Sequence, residues 1–248
     1  MTHLARRFVC PFADAEMSNA GLTVLVTGGA GYIGSHCTVE LLQAGYSVIA
    51  LDNFVNSVPS GSSGLPPSLQ RVQRITGREL SFYECDLLDK QRLQHIFQDV
   101  SEAPLTFFFT LLKHCEKERT LLLLLFLQHK IDCVIHFAAI KAVGESMQFP
   151  LLYYKNNLIA TINLLEVMEA HNVYQLVFSS SCTVYGNPES LPITETHPTG
   201  DVTNVYGRTK HFIEGMLKDI SAANSVSNFH QQSENTWLTS ERFSLRGI

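Results

Sequence analysis

Cysteine pairs and basic runs are the first things that this sequence lacks. Its six cysteines include none at the C-x-x-C spacing, which argues against a zinc knuckle or a redox dithiol and favours reduced thiols in the cytoplasm. No run of Lys and Arg is longer than two residues, and 18 basic against 23 acidic residues leave a formal charge of -5. A nucleic-acid partner, whose phosphates require many cations, is therefore not expected, and neither is a metal site.

Long apolar stretches are also missing. The longest, Leu121–Leu127, is far shorter than the ~20 residues that a membrane-spanning helix needs. Arg6 and Arg7 are not followed by a continuous apolar stretch, so a secretory signal is not predicted. We expect a cytoplasmic protein without a membrane partner.

The residues that are present have a globular composition, with 45% apolar and 17% charged residues in a chain of 248. That length predicts one to two domains. From Thr23 onward, short apolar runs alternate with stretches long enough for helices, which is typical of a parallel sheet covered on both faces. The sequence therefore predicts an α/β fold, a Rossmann-like doubly wound parallel sheet. Its predicted strands are Thr23–Thr27, Ser47–Leu51, Leu80–Cys85, Asp132–Ala138 and Gln175–Ser179.

We expect three regions along the chain. Residues 1–22 are predicted to be an extension outside the fold, and residues 23–223 a dinucleotide-binding Rossmann domain. Residues 224–248, rich in Ser, Asn, Gln and Glu, are predicted to be an irregular tail. This organisation leaves no sequence for a second domain.

The Rossmann domain is interrupted by an insert, residues 100–128, which is rich in Leu and Phe. Connections in compact α/β domains are normally about 2 to 6 residues long, so the insert is unexpected there. Its Val-Ser start can be encoded as a splice-donor consensus, and its Leu-rich end as a pyrimidine tract closing in CAG. We interpret the insert as a translated retained intron. The alternative is an inserted amphipathic helix pair, which would expose an apolar patch.

A glycine-rich turn follows the first predicted strand. Gly28, Gly31 and Gly34 permit a tight turn, a close approach of the backbone to a pyrophosphate and close packing of the next helix, whose N-terminal amides attract the anion. Asp52 ends the next strand, where a carboxylate can accept hydrogen bonds from ribose hydroxyls and would repel a 2′-phosphate. The pattern predicts a dinucleotide site that prefers NAD; the alternative is a purely structural turn.

A tyrosine and a lysine four residues apart follow the fifth predicted strand, which ends in Ser179–Ser181. On a helix, Tyr206 and Lys210 share one face, so the ammonium would lower the pKa of the phenol and make it a usable base. Taken alone, the spacing is better explained by a solvated lysine beside a half-buried tyrosine. Together with the glycine turn and the serines, it predicts a catalytic pair.

Five segments carry a family resemblance: Thr27–Gly34, Asp52–Asn56, His136–Ser146, Phe178–Gly186 and Tyr206–Lys210. They resemble the extended short-chain dehydrogenase/reductases and, within them, the UDP-glucose 4-epimerase family of animals. The resemblance covers residues 23–99 and 129–222. Two positions depart from the family pattern: Ala139 stands where Gly is common, and Cys182 where Ala is common.

The resemblance implies a role for each matching residue. The pyrophosphate of NAD would be held by Gly28, Gly31, Tyr32, Ile33 and Gly34. The adenosine ribose and the neighbouring phosphate would be bound by Asp52, Asn53 and Asn56, and the adenine would be flanked by Asp86 and Leu87. The rest of the cofactor cleft would be lined or supported by Phe137, Ala138, Ala139, Lys141, Asn157 and Ser179. The catalytic residues would be Ser181, Tyr206 and Lys210, of which the last two also contact the cofactor.

The implied activity is an NAD-dependent epimerase that interconverts UDP-galactose and UDP-glucose through a 4-keto intermediate. Its substrate would be a UDP-sugar, and a family-like homodimer is compatible with it. The family continues with a further strand and a C-terminal domain that binds UDP; we expect both to be absent, so this chain would be weakly active or inactive. The alternatives are an inactive NAD-binding fragment, the product of a misread transcript and a sugar-nucleotide dehydratase. A dehydratase would be expected to place acidic residues beside the threonine, where this chain has Thr183–Tyr185.

Overall fold

The structure is a computed structural model that describes residues 21–61, 64–101, 130–194, 196–224 and 244–247. Most of three predicted regions lies outside the described residues. These parts are residues 1–20 of the extension, 102–128 of the insert and 225–243 of the tail.

A sheet of six strands forms the centre of the described fold, in the order β3-β2-β1-β4-β5-β6. The strands are β1 (Thr23–Thr27), β2 (Ser47–Asp52), β3 (Ser81–Glu84), β4 (Ile131–His136), β5 (Gln175–Phe178) and β6 (Ser244–Gly247). The pairs β1–β2, β2–β3 and β5–β6 run parallel, with Thr23 opposite Ser47 and Gln175 opposite Ser244. This order, which starts in the middle and is built outward in both directions, is that of a doubly wound Rossmann sheet. The predicted fold class is confirmed.

Helices follow the strands as the alternating pattern predicts. They are α1 (Tyr32–Gln43), α2 (Pro67–Thr76), α3 (Lys90–Ser101), α4 (Val143–Gln148), α5 (Pro150–Tyr154), α6 (Ala160–Ala170) and α7 (Val205–Asn224). A π-helical segment, Lys155–Ile159, joins α5 to α6, and a 3-10 turn, Cys182–Tyr185, follows β5. Among the helices of the described residues, none combines the length and apolar character that crossing a membrane requires.

The described chain divides into two compact units, and the division falls inside β4. The first unit runs to Cys85 and includes Asp89–Val134; the second holds Asp86–Leu88 and the residues from Ile135 onward. In the first unit, all five residues of β1 are buried, as expected for a strand covered on both faces. In the second unit, the largest fully buried side chains are Ile135, Tyr153, Leu164, Met168 and Leu176.

Some predicted boundaries are wrong. Residues 244–247 of the expected irregular tail form β6, whose Ser-Leu-Arg-Gly sequence has a single apolar side chain and therefore gave no alternation signal. Helix α3 continues through Val100 and Ser101, the first two residues assigned to the insert. Strand β4 ends at His136 rather than Ala138, and further along the chain the Asn157 side chain binds both the N–H and the C=O of Ile140.

Two helical glycines of this fold predict opposite effects of an added methyl group. A Cβ at Gly34 would overlap the carbonyl of Gly28, whereas a Cβ at Gly215 would meet nothing within 4 Å. We expect Gly34→Ala to lower the free energy of unfolding by about 1–3 kcal/mol through overpacking. Gly215→Ala should raise it by about 0.5–1 kcal/mol, because alanine restricts the unfolded chain. Urea unfolding of both variants checks this, and equal effects would contradict the close approach at Gly34.

Candidate active site

The glycine turn in the first unit brings β1 and α1 into close contact. Gly28 adopts φ +69°, in the left-handed region that favours glycine, and the N–H of Gly31 donates to the Gly28 carbonyl at 3.1 Å. Because a side chain at Gly34 would overlap that carbonyl, α1 approaches the turn at backbone contact. The sequence analysis overlooked Gly29, where a Cβ would lie 2.7 Å from the Cβ of Ala50 on β2.

The N-terminus of α1 has the properties of an anion site. Gly31 precedes the helix in an extended conformation, makes no side-chain cap, and no acidic residue lies in the first turn. The first N–H groups of a helix lack intrahelical acceptors and carry a partial positive charge. Tyr32 and Ile33, the first two helical residues, are 77% and 51% exposed. These amides are therefore available to a phosphate group, as the glycine pattern predicts.

The Asp52 carboxylate fastens the glycine turn to the loop after β2. Its Oδ2 accepts the N–H of Ala30 at 3.0 Å, and its Oδ1 accepts the N–H of Phe54 at 2.9 Å and the hydroxyl of Ser57 at 2.7 Å. Each carboxylate oxygen has two acceptor sites, so these bonds leave one on Oδ2. The predicted ribose contact is compatible with this geometry, and a structural role that the sequence did not reveal is added to it.

The loop after Asp52 holds a strained residue that the sequence analysis missed. Phe54 adopts φ +61°, which is unusual for an aromatic residue, and its ring centroid lies 5.6 Å from that of Phe82. Asn53 accepts the N–H of Val55 at 3.2 Å, while Asn56 is exposed. The two predicted asparagines thus differ, since one shapes the loop and the other faces solvent.

The segment Asp86–Leu88, predicted to flank adenine, belongs to the second unit. Asp86 accepts the N–H of Leu88 at 2.8 Å, and the carbonyl of buried Leu87 accepts the side-chain amide of Asn163 on α6 at 2.9 Å. The backbone here is therefore held by an α6 side chain, and its contact with adenine stays a prediction.

Asn157 supports the predicted cleft residues that follow β4. It is buried in the π-helical segment, a kind of irregularity that is frequent at functional sites. Its amide binds the N–H and the C=O of Ile140 at 3.0 and 3.1 Å and donates to the Thr209 hydroxyl at 3.0 Å. One side chain thus ties the loop after β4 to α7. Of the predicted lining residues in this loop, Phe137, Ala138 and Ala139 are partly exposed and Lys141 is exposed.

Tyr206 and Ser181 are brought together in the second unit. Tyr206 is the second residue of α7, and Ser181 caps the 3-10 turn after β5. Burial raises the pKa of Tyr206 above its usual 10, the hydrogen bond with Ser181 opposes the rise, and the nearby Cys182 adds to it. The predicted lowering of this pKa by the Lys210 ammonium stays a prediction.

Lys210 points to the end of β5. Its Nζ donates to the Ser179 carbonyl at 2.8 Å and lies 4.6 Å from the centroid of the Phe178 ring. Only 2% of the residue is exposed, and burial lowers its pKa to about 7, against the favourable charge of Glu214. The shared helix face was predicted correctly, but the helix pattern alone does not show that β5 offers the ammonium a carbonyl and an aromatic ring.

Thr183 orients the Ser181 hydroxyl. The Ser181 Oγ accepts the hydroxyl of Thr183 at 2.9 Å and the N–H of Thr183 at 3.3 Å. With its acceptor sites used in this way, Ser181 has its single proton left to donate. A Cβ at Gly207 would lie 2.7 Å from the Thr183 Oγ1, so glycine at this position lets α7 approach the serine turn.

Two further polar residues hold the start of α7 and were missed by the sequence analysis. Ser146, which is fully buried on α4, accepts the N–H of Tyr206 at 3.2 Å. Asn204 accepts the N–H of Gly207 at 2.7 Å. Asparagine just before a helix is a common N-cap, so Asn204 could have been found from the sequence. No local pattern marks Ser146, whose partner lies 60 residues away along the chain.

Comparison with known proteins identifies the family. A sequence profile described as the NAD dependent epimerase/dehydratase family matches residues 24–107 and 109–229. The chain belongs to this family. The resemblance seen in the motifs is confirmed.

Relatives within the NAD dependent epimerase/dehydratase family include UDP-glucose 4-epimerases. The chain is 50% identical over 205 residues to the one from Mus musculus, covering 83% of this chain and 50% of that protein. It is 48% identical over 198 residues to the one from Drosophila melanogaster, covering 80% and 48%. A crystal structure of UDP-glucose 4-epimerase from Bifidobacterium longum in complex with NAD+ and UDP matches with 43% identity and a TM-score of 0.66, over 82% of this chain and 50% of that one. The chain spans about half the length of the curated relatives that it matches.

The neutral state of His136 predicts a pH dependence of stability. His136 is buried on β4, where its Nε2 lies 3.0 Å from the hydroxyl of Thr161, and burial, followed by the charge of Lys210, lowers its pKa to about 3. In the unfolded chain the pKa of this histidine is about 6.5. Between about pH 6.5 and about pH 3, the unfolded chain binds a proton that the folded chain does not bind, so the free energy of unfolding falls as the pH falls. Lowering the pH from about 7 to about 5 should therefore reduce the free energy of unfolding by roughly 2 kcal/mol through this histidine. Urea unfolding at both pH values should show a smaller loss in His136→Gln; an equal loss in parent and variant would contradict neutral burial.

Proposed function

We propose that this chain binds NAD and carries the proton-transfer site of an enzyme that interconverts UDP-galactose and UDP-glucose. The observation that carries the proposal is the placement of Ser181 near Tyr206, whose pKa it affects, with Lys210 one turn further along α7. A tyrosine beside a serine hydroxyl is suited to exchange a proton with a sugar hydroxyl. Identity of about half to UDP-glucose 4-epimerases supports this choice of reaction and substrate.

The residues of the first unit fit the diphosphate half of NAD. The glycine turn leaves no room for side chains, and the start of α1 offers uncapped amides to an anion. Asp52 retains an acceptor site for a ribose hydroxyl, and Asn53 and Asn56 lie in the loop that it fastens. In the second unit, Ser179 and Lys210 would contact the nicotinamide end. NAD, when bound, would supply the hydride acceptor and donor for carbon 4 of the sugar.

Tyr206 would take the proton of the sugar 4-hydroxyl and later return one to the 4-oxygen, when the keto sugar has turned its other face to the cofactor. Burial raises the pKa of Tyr206, so the phenolate needs stabilisation before it can serve as a base near neutral pH. Lowering the pKa of the phenol from about 10 to about 7 corresponds to roughly 4 kcal/mol of stabilisation of the phenolate. Before the sugar binds, Ser181 would supply part of it by donating its single proton to the phenol oxygen; with the sugar bound, it would donate to the 4-oxygen instead. The Lys210 ammonium would supply more by moving from the Ser179 carbonyl toward the phenol.

The reaction is tested by product formation from UDP-galactose. Because the chain spans half the length of its relatives, the assay uses the chain and a chimera that continues after Ala222 with the C-terminal half of the Mus musculus relative and lacks residues 102–128. We expect the chimera to form UDP-glucose, and Tyr206→Phe to remove most of this activity while NAD binding persists. Undiminished conversion by the Tyr206→Phe chimera would contradict its role as base. Release of water from the sugar would instead favour a dehydratase.

The ribose contact of Asp52 predicts a change in cofactor preference. Asp52→Asn keeps the shape of the side chain and removes its charge, so NAD affinity should fall about tenfold, since a hydrogen bond to a charged group contributes about 1.5–3 kcal/mol. Affinity for NADP should fall less, because the carboxylate that repels a 2′-phosphate is gone. Equilibrium titration measures both constants. Glu40→Gln on the exposed side of α1 is the matched control, and undiminished NAD affinity in Asp52→Asn would exclude the contact.

We also propose that the protein acts in the cytoplasm, where its scattered cysteines stay reduced.

We propose further that the second unit binds a second copy of this chain. Apolar side chains are exposed along α5, the π-helical segment and α7: Leu151 at 80%, Leu152, Ile159 and Phe212. Such a patch is typical of a protein interface. Sedimentation should show a dimer that Leu151→Glu weakens. The matched control is Ile75→Glu, an equally apolar exposed residue of the first unit. A monomeric parent would contradict this proposal.

A further inference from the structure

Two hydrogen bonds fasten α7 to the end of β5. Lys210 donates from its Nζ to the carbonyl of Ser179 at 2.8 Å, and Glu214 accepts the hydroxyl of Ser180 through its Oε1 at 2.5 Å. Lys210 and Glu214 are four residues apart, so they lie on the same face of the helix. Successive helical turns therefore hold successive residues of the strand end, immediately before Ser181.

The same carboxylate provides the charge that the buried lysine needs. An ammonium that is 2% exposed is unfavourable without an anion nearby. In the described residues, the charge that stabilises it is that of Glu214.

The other titratable groups near this pair do not replace the Glu214 carboxylate. His136 faces Lys210 from β4 and is held neutral, and Tyr206 on α7 is neutral because its pKa is raised. His211 on α7 lies 3.8 Å from Glu214 through its Nδ1 and would compete for the carboxylate only when protonated. Within the part of the chain that the structure describes, Glu214 is thus the carboxylate whose charge favours the Lys210 ammonium.

We propose that Glu214 is a positioning residue that stabilises the charged form of Lys210 and holds Ser180 against α7. Ser181 follows Ser180 and Tyr206 precedes Lys210 by one turn, so the placement of Ser181 near Tyr206 depends on this attachment. The meaning of this arrangement for catalysis rests on the proposed function. The attachment and the charge are properties of the chain itself.

Three variants of the full chain separate the charge of Glu214 from its hydrogen bond. Glu214→Gln removes the charge and keeps an oxygen that accepts from Ser180. Ser180→Ala removes the hydrogen bond and keeps the charge. Asp219→Asn removes an exposed carboxylate of the same helix and is the matched control.

The charge is measured by trace acetylation of lysines with acetic anhydride over a range of pH, followed by mass spectrometry of the peptide that contains Lys210. Only the neutral amine reacts, so the pH midpoint of labelling reports its protonation. We expect Glu214→Gln to move the midpoint down by about one pH unit, which is about a tenfold gain in labelling at a fixed pH below the midpoint. Ser180→Ala and Asp219→Asn should not lower it. An unchanged midpoint in Glu214→Gln overturns the proposal.

The attachment is measured by hydrogen exchange of the Cys182–Tyr185 turn, where the N–H of Thr183 and that of Val184 both donate to Ser181. Protection should fall in Ser180→Ala and persist in Glu214→Gln. Unchanged protection in Ser180→Ala overturns the positioning role. If Glu214→Gln does not fold, Glu214→Asp, whose shorter side chain draws the carboxylate back, must lower both the midpoint and the protection; parent-like values of both overturn the proposal. Neither readout needs NAD or a UDP-sugar, so failure of the proposed function is seen separately.

Discussion

Burial of the Lys210 ammonium is the constraint on which the candidate active site in the second unit depends. A cation excluded from water has to be surrounded by groups that replace its hydration. The end of β5 supplies a carbonyl and an aromatic face, and α7 supplies a carboxylate one turn away. Burying the ammonium disfavours its charged form, so the pKa of Lys210 is lowered. Burial and the charge of Lys210 also lower the pKa of His136, which stays neutral.

In the first unit, the glycine turn depends on close contact between backbone atoms. Gly34 on α1 and the Gly28 carbonyl approach so closely that the turn contains backbone where most loops contain side chains. This arrangement leaves the first amides of α1 without a side-chain cap, and Asp52 then fixes the turn through Ala30. In the proposed function, the first unit offers backbone donors to an anion, and the second offers a tyrosine, a serine and a lysine for proton transfer.

The features that could be predicted from the sequence are those that a local pattern of residues determines. Strand β1 and the glycine turn follow from an apolar run and from spacing, and the helical position of Tyr206 and Lys210 from their separation by four residues. Contacts distant along the chain are not encoded in any local pattern. The direction of Lys210 depends on Ser179, 31 residues earlier, and the support of Tyr206 on Ser146, 60 residues earlier. Strand β6 was missed for a similar reason, because its pairing with β5, rather than its own composition, makes it a strand.

The contact at Gly34 also limits how the gene can vary. Every other amino acid has a Cβ, and at this position that atom would overlap the Gly28 carbonyl whatever the rest of the side chain. Substitutions at most surface positions change the free energy of unfolding by less than about 0.5 kcal/mol, so the codons for those positions can accept missense changes. The codon for residue 34 differs, because every missense change in it forces α1 away from the turn. Only synonymous variation leaves this part of the fold intact.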